Sequence, residues 1–210
     1  MKKIIPITTE KTILELKERK IFVTSDWHLE HNRDFCWQAR GFNSIKEMNC
    51  GLIKRHNEIV TAEDDVYILG DLCMGTDLWT NKELIEQFNG KLHIVFGNHD
   101  TQNKISMYNM CENVVEICGY ATMLKYKKYH FYLSHYPTLT GNLEKESLKQ
   151  MTLGLFGHTH QKEHFFIDLP YMYNVGVDAH NCYPVLLDNI LIEMKLKVDS
   201  LKTDLDETVK

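Results

Sequence analysis

Five short apolar runs punctuate the chain: Ile21-Phe22-Val23, Val66-Tyr67-Ile68-Leu69, Leu92-His93-Ile94-Val95-Phe96, His130-Phe131-Tyr132-Leu133 and Leu153-Gly154-Leu155-Phe156. They are apolar in succession rather than in alternation, which predicts strands buried on both faces of a layered sheet. Between the early runs the period changes. Ile45, Met48, Leu52, Ile53 and Ile59 fall at helical spacing behind Ser44 and Glu47, which have the form of a capping box. Thr80 and Glu83 repeat that form ahead of Leu84, Ile85 and Phe88, and Asn89-Gly90 supplies a stop. The first half thus reads strand, helix, strand, helix, strand. The second half is richer in strands, with Tyr120 to Leu124 and His130 to Leu133 around a Lys-rich turn, then Tyr171 to Val175 and Pro184 to Leu187. An amphipathic helix is expected over Thr8 to Lys20, and about ten polar residues at the end are expected to fray. Strand-helix alternation followed by hairpins predicts an α/β sandwich in which helices cover mixed sheets.

Composition narrows the class. With 43% hydrophobic and 25% charged residues, 11 Gly and 4 Pro in 210, disordered, collagenous and low-complexity chains are excluded. A chain of this length buries over roughly two-thirds of its unfolded surface. One domain over residues 1–210 is expected, with its core at about residues 20–190 and a polar C-terminal tail. The net charge of −5 argues against a broad basic face for nucleic acid. It leaves open a local cationic pocket that cleaves phosphate esters, nucleic acid included. The six cysteines form no C-x-x-C pair and read as reduced thiols of a cytoplasmic protein. No secretory signal and no apolar stretch of membrane-spanning length is seen, so no membrane association is expected. Oligomeric state is silent in the sequence. Eleven histidines, about 5% of the chain, are the one excess.

The residues just after each apolar run account for much of that excess. The five runs lead into Asp26-Trp27-His28, Gly70-Asp71, Gly97-Asn98-His99-Asp100, Ser134-His135 and Gly157-His158-Thr159-His160. Ligands of open α/β sheets bind outside the carboxyl ends of strands, so the five ends are expected to converge on one edge. Glycines 70, 97 and 157 would let the backbone turn sharply there. Imidazole, carboxylate and amide oxygen without thiolate are the donors of a divalent metal site. Asp26, His28, Asp71, Asn98, His135, His158 and His160 are too many for one tetrahedral ion and suit two ions of higher coordination sharing a carboxylate. In an extended stretch, both members of Asp26-x-His28 and of His158-x-His160 would face the same way.

This ordered set resembles the calcineurin-like metallophosphoesterase superfamily, over residues 20 to 190. The compact length and the segment from Trp27 to Leu69 look most like its small stand-alone bacterial and phage members. The resemblance implies a four-layer α/β/β/α sandwich with two mixed β-sheets and a dinuclear metal site at the strand C-terminal ends. It implies Asp26, His28 and His160 on one metal, Asn98, His135 and His158 on the other, and Asp71 bridging. Protein Ser/Thr phosphatases of that superfamily carry further Asp and Arg residues after the second motif. Here Gly70-Asp71 runs into Leu72-Cys73-Met74-Gly75, which lowers that reading.

The expected chemistry is hydrolysis of a phosphate ester by in-line attack of a hydroxide bridging the two metals. His99, facing away from Asn98, would be the general acid, oriented by Asp100. Small phosphodiester or nucleotide-like substrates are preferred; a phosphomonoesterase, a nucleotide pyrophosphohydrolase and a non-catalytic protein-binding scaffold are the alternatives. Mn2+ leads the metals, with Fe2+, Zn2+, Ni2+ and Co2+ acceptable to the same donors. His31, Arg33 and Arg40 lie after the first strand and are candidates for binding the substrate. His56, His93, His130, His164 and His180 lack metal spacing and read as satisfied or exposed histidines.

Overall fold

The structure is a computed structural model that describes residues 19–140 and 147–208. The helix expected over Thr8 to Lys20 lies outside the described residues except for Arg19 and Lys20, which lead directly into the first strand.

Two mixed sheets face each other. The first is built from β1 (Ile21–Thr24), β2 (Asp65–Leu69), β3 (Lys91–Val95), β4 (Val114–Gly119) and β9 (Val185–Leu186), in the order β4-β3-β2-β1-β9. Its strands run parallel apart from β9, which pairs antiparallel to β1. The second sheet is built from β5 (Ala121–Tyr126), β6 (Tyr129–Ser134), β7 (Thr152–Phe156) and β8 (Met172–Asn174), in the order β5-β6-β7-β8. Here β5 and β6 form the expected hairpin around Lys127-Lys128, and Lys127 takes the positive φ that so tight a turn requires. Strands β6, β7 and β8 are parallel.

Alternate residues of the first sheet divide the core. Phe22, Val66, Ile68, Leu92 and Ile94 pack outward under α2 (Ile45–Ile59), α3 (Leu78–Ile85) and α4 (Gln102–Tyr108). Val23, Leu69 and Val95 point inward to Phe131, Leu133, Leu153 and Leu155 of the second sheet. The C-terminal α5 (Leu187–Thr208) closes that inner core with Leu187, Ile190, Leu191 and Met194. The described part of the tail expected to fray continues this helix to Thr208, and the i, i+3, i+4, i+7 spacing of those four residues is the helix's signature. No described helix is long and apolar enough to cross a membrane.

Local signals act as expected in α2, where Ser44 accepts from Glu47 N. They misplace the start of α3. Asp77 caps it, accepting from Trp79 N and Thr80 N, while the Thr80 hydroxyl donates to Asp77. Two short helices carry no cap signal and are not foreshadowed by the pattern: α1 (Asp34–Ala39), which buries no residue, and α4. Edge strand β4 is also hidden, because Glu116 interrupts its apolar run; that carboxylate pairs with His93 across the strand boundary.

Candidate metal centre

Because β1, β2 and β3 are parallel, their carboxyl ends lie side by side, and those of β6 and β7 meet them from the second sheet. Cross-sheet hydrogen bonds hold the two edges together. His135 Nδ1 donates to Leu69 O at 2.8 Å, and His158 N donates to Asp26 Oδ2 at 2.9 Å. With its Nδ1 proton directed at Leu69, His135 presents Nε2 as a lone pair.

The side chains gather in two groups about Asp71. On one side Asp26 Oδ1 lies 3.7 Å from His28 Nε2 and 3.9 Å from His160 Nε2. On the other, His135 Nε2 lies 2.9 Å from Asn98 Oδ1 and 3.2 Å from His158 Nδ1. Asp71 Oδ2 is between them, 3.7 Å from His28 Nε2 and 3.4 Å from His135 Nε2. Among the described residues, Asp26 with His28 and His160, and Asp26 with Asp71 and His135, bring their donor atoms within 4.8 Å of one another. Asp26 Oδ1 and both ring nitrogens of His28 are buried without a hydrogen-bond partner. Polar atoms left so are costly, and divalent ions bound by Asp26 Oδ1 and His28 Nε2 would remove much of the cost. The residues fit a metal pair.

The backbone reaches this arrangement differently from the extended alternation expected. Asp26, His28, Asp71, His158 and His160 all have positive φ, between 50° and 68°. Each pair converges through left-handed residues at a strand exit, a conformation disfavoured for side chains beyond glycine. Of the three glycines, Gly70 alone turns through positive φ. Gly97 and Gly157 serve close approach instead: a Cβ at Gly157 would meet Ser25 Oγ at 2.0 Å and Asp26 Oδ2 at 2.3 Å.

The electrostatics follow from burial against charge. Burial opposes ionisation of Asp71, but the His135 imidazole and the His99 N–H outweigh it and hold the carboxyl at about 2. Burial likewise opposes ionisation of Asp26, and His28, His135 and His160 together pull it below its ordinary value. His135 is disfavoured as a cation by burial, yet Asp71 and Asp26 bring it above the usual imidazole value. Burial and then the His135 charge lower His158. His160 is raised, chiefly by Asp178.

Two expected roles change. Asp100 does not orient the His99 ring: its Oδ2 accepts from Asp71 N and Gly97 N, at 2.9 and 2.8 Å, and its Oδ1 accepts from Tyr108 Oη at 2.7 Å. It fixes the backbone beneath Asp71. The His99 loop is held instead by its own N–H on Asp71 Oδ1, 2.8 Å, and by Lys104 Nζ on its carbonyl, 3.0 Å. The His99 imidazole stays 44% exposed, with Nε2 4.0 Å from Asp71 Oδ2. Arg40 is the second change. Its side chain is 2% exposed and its donors are spent on Asp178, Asp26 O, Trp27 O and Met48 Sδ. A guanidinium with its five N–H groups engaged has none to offer a substrate. Arg33 is exposed at the start of α1. His31 lies beside the cluster, 5.6 Å from His28 ring to ring.

Asp178 is a site residue that the sequence reading misses. It accepts from His160 Nδ1 at 2.7 Å and, on both its oxygens, from Nε and Nη2 along one edge of the Arg40 guanidinium, which together hold it well below the usual carboxylate range despite burial. A carboxylate behind a ligating imidazole fixes tautomer and aim. Its signal is present: Tyr171 to Val175, apolar but for Asn174, is followed by Gly176-Val177-Asp178. Tyr136 is missed as well; half exposed, its ring packs against His135 and His158 at 5.2 and 4.5 Å.

A strand-end cluster of this composition between two mixed sheets defines a metallophosphoesterase-type scaffold. The chain belongs to the calcineurin-like phosphoesterase superfamily, whose domain it matches over residues 19–177. An uncharacterized protein of Methanocaldococcus jannaschii is 31% identical over 180 residues, spanning 82% of this chain and 90% of that one. A crystal structure of a protein of unknown function from Aquifex aeolicus shares the fold, with a TM-score of 0.62 at 19% identity over 82% of this chain and 98% of that one. A novel archaeal phosphodiesterase aligns with a TM-score of 0.42 at 19% identity, over 75% of this chain and 82% of its own.

Proposed function

We propose that the chain is a metal-dependent phosphoesterase acting on small phosphodiester or nucleotide-like substrates. The observation that carries this is the pairing of Asp71 Oδ2, set between two groups of nitrogen and oxygen donors of which Asp26 Oδ1 and the His28 ring are unsatisfied, with the open His99 imidazole 4.0 Å away. Asp26, His28 and His160 would hold one divalent ion, Asn98, His135 and His158 a second, with Asp71 shared. Such ions supply an activated water near neutral pH and positive charge against the phosphoryl oxygens. Asp26 and Asp71, already ionised by their histidine neighbours, bind cations without first losing a proton. His99, anchored through its own N–H and its carbonyl, keeps its ring at the open side, where it hands a proton to the leaving oxygen.

The test is turnover of bis(p-nitrophenyl) phosphate and of a mono- and diester panel with added Mn2+, run beside elemental analysis. Wild type is expected to hydrolyse diesters. His99→Ala should lose most turnover and retain metal, whereas Asp71→Ala should lose metal. Inactivity of the wild-type protein across the panel and across Mn2+, Zn2+, Ni2+ and Co2+ overturns the proposal.

A further inference from the structure

A pocket of about 280 Å3 opens directly beside His28 and His160 and is walled by Phe35, Cys36 and Ala39 of α1. Among the described residues lining it, the only cation besides imidazoles is Arg40, spent on Asp178 and on backbone carbonyls. That lining therefore offers no free lysine or arginine with which to bind a second phosphate. Its outer wall is aromatic. Phe35 is 68% exposed, and its ring meets that of His31 at 5.5 Å, which in turn meets His28 at 5.6 Å. An aromatic ladder thus runs from a metal-cluster residue out to solvent. Helix α1, which buries none of its residues, gives Phe35 no core to fill.

Resting on the phosphoesterase reading, we infer that this pocket receives a planar ring carried by the phosphate ester, an aryl group or nucleobase, and that Phe35 is the residue selecting for it. The volume is just below that of ligand pockets for drug-sized molecules, which run from about 300 to 1,000 Å3, and so suits one ring system rather than a polymer. Flat π-systems stack on exposed aromatic side chains, and the lack of a free cation in the lining favours an uncharged substituent while the phosphoryl group stays at the cluster.

Phenylphosphonate and methylphosphonate differ by the ring alone, and neither is hydrolysed. Calorimetric titration of the Mn2+-loaded protein is expected to show phenylphosphonate binding about tenfold more tightly. Phe35→Ala should abolish that difference with methylphosphonate affinity unchanged, and Phe35→Trp should preserve it. Equal affinity of the wild type for the two ligands, or a preference that survives in Phe35→Ala, overturns the assignment while diester turnover leaves the phosphoesterase reading standing. Failure to bind either phosphonate, together with no turnover of any ester, overturns both.

Discussion

His56 predicts a specific acid sensitivity of the fold. It lies on α2, 1% exposed, with Nε2 2.8 Å from Asn89 O and with Nδ1 buried and unpartnered. Its ring stands edge-on to Phe88 at 5.0 Å and to Trp27 at 5.7 Å, and those two rings stack at 3.9 Å. The imidazole is therefore a neutral Nε2–H donor inside an aromatic box. Burial pushes its pKa down from 6.5 to about 4, against the opposing pull of the Asn89 carbonyl. Below pH 6.5 the unfolded chain takes up this proton while the folded chain does not. Stability present above that value is therefore lost as pH falls toward the folded value of about 4. Across that window the linkage amounts to about 3 kcal/mol, a large share of a typical stability of about 5–15 kcal/mol. Urea denaturation followed by tryptophan fluorescence, from about pH 7.5 to about pH 4.5, measures it in wild type and in His56→Gln. Both proteins share every other titrating group, so the difference between their curves isolates His56. The variant is expected to start less stable and to narrow the gap by about 2–3 kcal/mol at the acid end. Parallel curves would refute the reasoning.

Other perturbations address the centre itself. Arg40→Met leaves two backbone carbonyls without the guanidinium and the Asp178 carboxylate with His160 alone, and should cost about 3–5 kcal/mol in chemical denaturation; a loss under about 1 kcal/mol would show the clamp to be dispensable. Asp178→Asn weakens the hold on His160 and should reduce metal affinity on the order of 10–100-fold in competition with a chelating dye. Gly157→Ala drives a methyl group into Ser25 and Asp26, and should lower both stability, by about 1–3 kcal/mol, and bound metal by elemental analysis; a fully loaded variant would contradict the close-approach account.

Much of this is legible because burial leaves marks in sequence. Strands β1, β2 and β7 are buried along nearly their whole length, and β3 and β6 bury one face fully, with His93 half-buried and His130 exposed on the other; each is still an apolar run within one or two residues of its observed span. The polar residues after each run can be read as a set because parallel strands bring their ends to one edge. Less legible are elements that owe their form to partners. Strand β4 carries Glu116 opposite His93 across the ladder, and α4, without a side-chain cap, is tied instead by Lys104 and Tyr108, one turn apart, to His99 O and Asp100 Oδ1. Arg40 resembles a phosphate fork in sequence. Its real partner, Asp178, stands 138 positions away, a separation that no local pattern encodes.

The left-handed residues give the centre its physical logic. Five of the seven metal-ligand candidates adopt positive φ, and each carries a strain of order 1–2 kcal/mol that an isolated strand exit would relax. Hydrogen bonds that cross between strand ends oppose this relaxation: Asp26 N donates to Gly70 O at 3.1 Å, His28 N to Asp71 O at 3.0 Å, and His158 N to Asp26 Oδ2 at 2.9 Å. Arg40 adds a bond to Asp26 O at 2.9 Å, on the same turn. The backbones of Asp26, His28, Asp71 and His158 are thus fixed by a different strand end or by a side chain, so these four cannot relax without breaking a bond made elsewhere; His160 is held through its ring on Asp178. That interdependence keeps Asp26 Oδ1 and the His28 ring facing their neighbours without a hydrogen bond between them, an arrangement a flexible loop would abandon. On the proposed reading, a centre built this way would select for a cation that satisfies all of the donors together, since side chains held by their backbones cannot rearrange one at a time around a poorer fit.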